Sequence, residues 1–248
     1  MEVHAHTHTA RKRWTHYFWE FFMLFLAVSL GFFVENQREH MIEHKREKQY
    51  MRSMIQDLRS DTMQLAKSID LLQKREIMID SLIPLLGSPD FKLHGNEIYY
   101  LARRISFAAY FFPNDRTILQ LKNSGSLRLI SNMNISDSIM LYDQEMRNLL
   151  YQFSDEFAIR RDYMQVARDK FNGHVYFSMF SYKNDSFTIT APSGNPQLFK
   201  QDAHSINEFV TQLQYLRNVT WNQRYREEDL KGKASNLIRL LKKEYNLN

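Results

Sequence analysis

The chain has 248 residues, of which 44% are hydrophobic and 25% charged, with 18 Phe and 13 Tyr, and a composition this apolar excludes a disordered chain. Seven Gly and five Pro are few for a fold built on tight turns, which points to long helices and away from sandwiches and barrels. The absence of cysteine excludes disulfides, thiolate catalysis and cysteine-held metals, and the net charge of +5 is spread over alternating basic and acidic residues, as on a solvated helix surface and unlike a nucleic-acid site.

Residues 1–16 form a His-rich, basic tail. His4, His6 and His8 alternate, and His16 follows. Imidazoles so spaced can hold copper, nickel or zinc. A flexible tail that takes up metal only opportunistically accounts for the same pattern.

Residues 17–34 read YFWEFFMLFLAVSLGFFV, with Glu20 as the one charge. At ~1.5 Å per residue such a helix spans ~27 Å, close to the hydrocarbon thickness of a bilayer. Trp14, Tyr17 and Trp19 mark one edge like an aromatic belt, and Asn36, Gln37 and Arg38 mark an abrupt polar exit. A secretory signal would need small residues after the apolar core, but Phe32, Phe33, Val34 and Glu35 stand there. A single transmembrane helix is therefore expected. Arg11, Lys12 and Arg13 beside its start favour a cytoplasmic N-terminus, with the large domain outside the cytoplasmic membrane. Glu20 either pairs with another subunit, lies on a proton or ion path, or sits in the headgroup zone within reach of Arg13 or His16. Ala27 and Gly31 form a small-xxx-small pair that would let two such helices approach closely.

Residues 35–248 are expected to form a helical bundle domain. The first helix should continue from the apolar run without a break. Met51, Ile55, Leu58, Thr62, Leu65, Ile69, Leu72, Glu76, Ile79, Ile83 and Leu86 fall at alternating spacings of four and three. This stripe suits an oligomeric coiled coil or the core face of an intramolecular bundle, and the stripes that follow favour the bundle. Pro84, Gly87 and Pro89 should end the helix. His40, Glu43 and His44 match the zinc-hydrolase pattern H-x-x-E-H, a short match without a third ligand.

A second helix is predicted over 96–112, then a turn at Pro113-Asn114-Asp115 and a short helix over 116–123 that Gly125 terminates. A long helix follows over 136–171, with Ile139, Tyr142, Met146, Leu149, Phe153, Phe157, Arg160, Met164 and Ala167 facing inward. Residues 175–190 suggest a small hairpin or an extended loop. The last helix runs over 202–245, bent near Gly232. Its inward residues are Ile206, Phe209, Val210, Leu213 and Leu216, then Leu230, Ala234, Leu237 and Leu241. Tyr99-Tyr100 and Tyr110-Phe111-Phe112 suit a ligand pocket or partner surface, but bundle core is the preferred reading. Ser124-Gly125-Ser126 lacks the spacing and the Lys of a phosphate loop, so it reads as a cap and turn.

The anchor running into a charged helix, HYFWEFFMLFLAVSLGFFVENQREHMIEHKREKQYMR, resembles the start of a family of uncharacterised single-span membrane proteins of Bacteroidota. LQLKNSGSLRLISN, Leu119 to Asn132, is similar to a second feature of that family, a turn before a long helix. The resemblance implies architecture and bacterial origin, with no catalytic residue or cofactor. The expected protein is all-α and non-enzymatic: one membrane helix continuing into an antiparallel bundle, partnered by the bilayer and by a protein or a second copy. A scaffold or accessory subunit of an envelope complex fits best. A ligand-sensing bundle or a metal-binding tail are the alternatives.

Overall fold

A computed structural model describes residues 14–183 and 186–247. The chain divides into two compact units, residues 1–49 and 50–248. The fold is all-α with one small hairpin, as the periodicity predicts. Six helices, α1 Trp14–Gly87, α2 Gly95–Ile105, α3 Arg116–Asn123, α4 Met133–Arg168, α5 Gly173–Ser178 and α6 Ala203–Tyr245, occupy the described residues.

Within residues 14–49, α1 carries a stretch long and apolar enough to cross a membrane, with mean hydropathy 1.9 and none of it buried. Its aromatic rings stack along the helix surface, as in Trp14–Phe18, Phe18–Phe22 and Phe21–Phe25. A side chain at i lies beside those at i+3 and i+4, so an aromatic-rich helix forms such ladders on itself.

Residues 50–248 form the bundle. The segment 50–87 of α1, then α4 and α6, supply the long members. Early α4 packs with late α6 and late α4 with early α6, so these two helices are antiparallel. The 50–87 segment runs parallel to α4 by the same pairing. The two short helices share the fourth place: α3 joins one apolar cluster through Ile118 and Leu121, and α2 joins the other through Ile98, Leu101 and Ile105.

Caps explain several boundaries. Asn132, Asn172 and Asp202 each accept a backbone N–H from the first turn of α4, α5 and α6. The α3 terminus ends at Ser124, and Gly125 follows in the left-handed region at φ 67°. Only glycine takes that conformation without strain, which is why the helix stops there. The Ser124-Gly125-Ser126 segment is thus a cap and turn.

Three expectations need correction. Helix α2 ends at Ile105, not near Phe112, because the carbonyls of Phe107 and Ala109 are taken by side chains from α1 and α6. Val175-Tyr-Phe lies in α5, a six-residue helix that the Asn172 cap starts, so within the predicted 175–190 region the hairpin is β1 Phe180–Lys183 and β2 Ser186–Ile189, paired antiparallel. Tyr110 and Phe112 are exposed, and only Phe111 of that trio enters the core. Elsewhere α6 runs uninterrupted through Gly232.

The start of α2 is pinned to the loop before α6. Gly95 N donates to Asn195 Oδ1 at 2.6 Å, and a Cβ at Gly95 would collide with the Pro196 carbonyl oxygen. Gly95→Ala is therefore expected to destabilise the bundle by roughly 1–3 kcal/mol through forced backbone displacement. Gly232→Ala has the opposite sign: that glycine is exposed, helical and has open space around it. It should gain up to about 1 kcal/mol from helix propensity. Chemical unfolding of both variants checks the pair, and equal signs would contradict the contact assigned to Gly95.

Candidate functional site

Between the two apolar clusters the bundle has a polar layer. Each long helix contributes to it at positions where its apolar stripe lapses. On α1 the row Met54, Asp61, Ser68, Arg75 and Leu82 repeats every seventh residue, and all five are buried. On α6 Thr220, Gln223 and Glu227 fill the interval between Leu216 and Leu230. On α4 Glu156 and Arg160 are buried while Phe157 stays 51% exposed.

These side chains form one network. Arg75 Nη1 donates to Glu156 Oε1 at 2.7 Å and to Thr220 Oγ1 at 3.4 Å, and Nη2 donates to the Phe107 carbonyl at 2.5 Å. Arg160 Nε reaches the same Glu156 carboxylate at 3.2 Å, and its Nη2 meets Tyr110 Oη at 3.1 Å. Two guanidinium groups thus share one carboxylate. Burial pulls the Arg75 pKa down while Glu156 opposes this, and an arginine in a protein stays charged. One turn or two along α6, Gln223 Nε2 donates to Glu227 Oε1 at 2.8 Å. Desolvation pushes the Glu227 carboxyl up to about 7, against the lowering pull of Ser68, Gln223 and Arg75. The Ser68 hydroxyl is near enough to influence it, yet neither Ser68 Oγ nor Glu227 Oε2 completes a hydrogen bond. A protonated Oε2 would supply the missing donor, which is a physical reason for the acid to hold its proton.

At the layer's edge Arg224 pairs with Glu76 at 2.7 Å and with Glu228 at 2.8 Å, and these two carboxylates raise its pKa. A separate clasp fixes the turn before α3. Asp57 Oδ2 accepts from Thr117 N and Oγ1, and Asp61 accepts from Asn114 N at 2.8 Å and from Tyr142 Oη at 2.7 Å. Burial raises the Asp61 pKa despite those donors. The clasp orients backbone and offers no open position for a substrate.

Two cavities open beside α2. One of about 470 Å³ lies against the hairpin, with Arg75, Lys74 and Arg104 around it and apolar walls from Met78, Phe107 and Phe187. The other, about 420 Å³, has aromatic walls from Tyr163, Phe171 and Tyr176 together with Arg103 and Arg168. The Arg103 guanidinium lies 4.8 Å from the Phe180 ring centroid and 5.2 Å from that of Tyr176. Burial lifts the Tyr163 and Tyr176 phenols well above their usual value, so both stay neutral.

The residues singled out from sequence are placed as follows. His4, His6 and His8 lie outside the described residues. Glu20 and His16 are an i,i+4 pair, with His16 Nε2 at 2.9 Å from Glu20 Oε1. Ala27 and Gly31 share an exposed face of α1, with open space where a Gly31 Cβ would stand. His44 Nδ1 lies 3.2 Å from Glu47 Oε2, and among the described residues no three His, Asp or Glu side chains assemble as a metal site. Of the polar layer the periodicity places only Glu76 and Arg160 on inward faces; the other members sit in gaps of the apolar stripes. The seven-residue spacing from Met54 to Leu82, and the matching gap on α6, were the available signals.

Neither a family model, nor a curated protein, nor a solved structure matches this chain.

Proposed function

We propose that this protein is a non-enzymatic scaffold or accessory subunit of a bacterial envelope complex. Residues 17–34 hold it in the cytoplasmic membrane by a single span, with the N-terminus inside and the bundle outside. One observation supports the scaffold reading most: an exposed aromatic patch on the bundle, ordered from beneath by the buried network. Tyr110, Phe112 and Phe157 are 52%, 69% and 51% exposed. The Tyr110 and Phe112 rings lie 5.9 Å apart, and the Arg160 guanidinium sits 5.6 Å from the Phe157 ring centroid while it binds Tyr110. Glu156 fixes Arg160 in that position. Pre-ordered aromatic and arginine side chains are the residue types that dominate protein–protein interfaces, and an exposed apolar patch on a bundle calls for a cover. Ala27 and Gly31 add a face on which a second membrane helix could pack.

The test is purification of the intact protein from detergent-solubilised membranes, beside Phe112→Ser and Phe157→Ser variants. The expected result is a stoichiometric protein partner with the native chain, lost from both variants at unchanged unfolding temperature. A lone monomer with catalytic turnover would contradict the reading.

The second reading, a ligand-sensing bundle, draws support from the 470 Å³ cavity, whose size is that of a small-molecule site. A metal-binding tail through His4, His6 and His8 would show as metal content that falls when the three are replaced.

A further inference from the structure

Arg75 stands at the junction of the buried network and the cavity beside α2. Its side chain is only 4% exposed. Among the described residues, three of its five N–H donors find acceptors, in Glu156, Thr220 and the Phe107 carbonyl. The rest are available to a molecule in the cavity that Arg75 lines. Charge points the same way. Arg75 and Arg160 share one carboxylate, so this trio carries a net positive charge in a desolvated place. Arg104 and Lys74 add two cations at the cavity wall, and no carboxylate stands among the described lining residues. Asp70 meets Lys74 outside, at 2.7 Å. The remaining walls are apolar: Leu71, Met78, Phe107 and Phe187.

We propose that this cavity binds an anionic amphiphile, with its single acidic head on Arg75 and Arg104 and its apolar body between Met78, Phe107 and Phe187. A desolvated guanidinium with spare donors binds carboxylate or phosphate strongly and in a fixed orientation. The apolar walls reject small hydrated anions, and the excess of positive charge rejects cationic amphiphiles. The head group belongs either to a free fatty acid or to an anionic lipid, and the chemistry recognised is the same.

The experiment uses the full chain in nanodiscs of neutral lipid, with decanoate carrying a terminal photoreactive diazirine as the probe and cross-links mapped by mass spectrometry. Cross-links are expected on Met78, Phe107 or Phe187. Unlabelled decanoate should remove them and decyltrimethylammonium should not. Arg104→Met should cut the yield at least fivefold, and so should Ala108→Trp, which fills the cavity, with both variants retaining the native helix content. Displacement of the probe by phosphatidylglycerol in the disc would make the bilayer the source. Displacement by free decanoate alone would make it a soluble acid. Cross-links confined to residues 17–34, equal displacement by the cationic amphiphile, or yields unchanged in both variants would overturn the proposal.

Discussion

Glu156→Ala is expected to be the most damaging single substitution in the buried layer, at about 3–5 kcal/mol or more. Removing one partner of a buried ion pair costs about that much, because the other charge is left without compensation. Here one carboxylate serves two guanidinium groups, Arg75 at 2.7 Å and Arg160 at 3.2 Å, so its loss strands two cations at once. Arg75→Met or Arg160→Met leaves Glu156 with one partner and should cost less. The order of the three is the signature of the shared carboxylate, and urea unfolding of the full chain in nanodiscs reads it. A Glu156 variant no less stable than the Arg75 variant would show that the two arginines do not depend on it.

The second large effect concerns pH. Folding raises the Glu227 carboxyl from 4.5 to about 7, mainly because the side chain is taken out of water. Below pH 4.5 the acid is protonated whether the chain is folded or not, and the stability that goes with the raised value is fully present. As pH rises toward 7 the unfolded chain ionises first, so stability falls, until the folded acid ionises too and the loss levels off. The loss is on the order of 3 kcal/mol across that window. Glu227→Gln keeps the shape of the neutral acid and cannot ionise. The variant should match the native protein in acid and exceed it by on the order of 3 kcal/mol at about pH 8. Asp61, also raised by burial, tilts the pH profile in the same direction in both proteins and cancels in the difference. A glutamine variant no more stable than the native chain at about pH 8 would contradict the burial of a neutral acid in this layer.

Helix boundaries were legible where a single residue sets them. Pro84 with Gly87, the Gly125 turn and the Asp202 cap act within a few residues of themselves, so α1, α3 and α6 end or begin within a residue or two of where the sequence places them. Inward faces were legible only where they are apolar. On α1 the sequence pairs Leu58, Leu65 and Leu72 with Ile55, Thr62 and Ile69, but Asp61 and Ser68 are buried while Thr62 and Ile69 are only partly so. On α4 Glu156 and Tyr163 replace Phe157 and Met164 at the core. A polar residue within a stripe reads locally as an interruption. It becomes a core residue only when partners from two other helices arrive at the same level, as Glu156, Thr220 and Phe107 do around Arg75. Nothing within one helix encodes that meeting.

The same property separates the two aromatic segments. Tyr99 and Tyr110 lie in similar local sequence, yet Tyr99 is fully buried against Phe171 at 4.8 Å, and Tyr110 reaches the surface because α2 has ended. The cavity beside α2 depends on that early end as well, since Phe107 and Ala109 leave the helix to meet Arg75 and Gln223.

We propose that residues 17–34 are a retained anchor holding the bundle outside the cytoplasmic membrane, and topology tests this most directly. The chain contains no cysteine, so single cysteines can be placed without background. In spheroplasts treated with a membrane-impermeant maleimide, Ser235→Cys on the exposed surface of α6 should label fully. Ala27→Cys should stay unlabelled until detergent dissolves the bilayer, with the protein in the membrane pellet throughout. Labelling of Ala27→Cys in intact membranes, or of Ser235→Cys only after lysis, would contradict the claim.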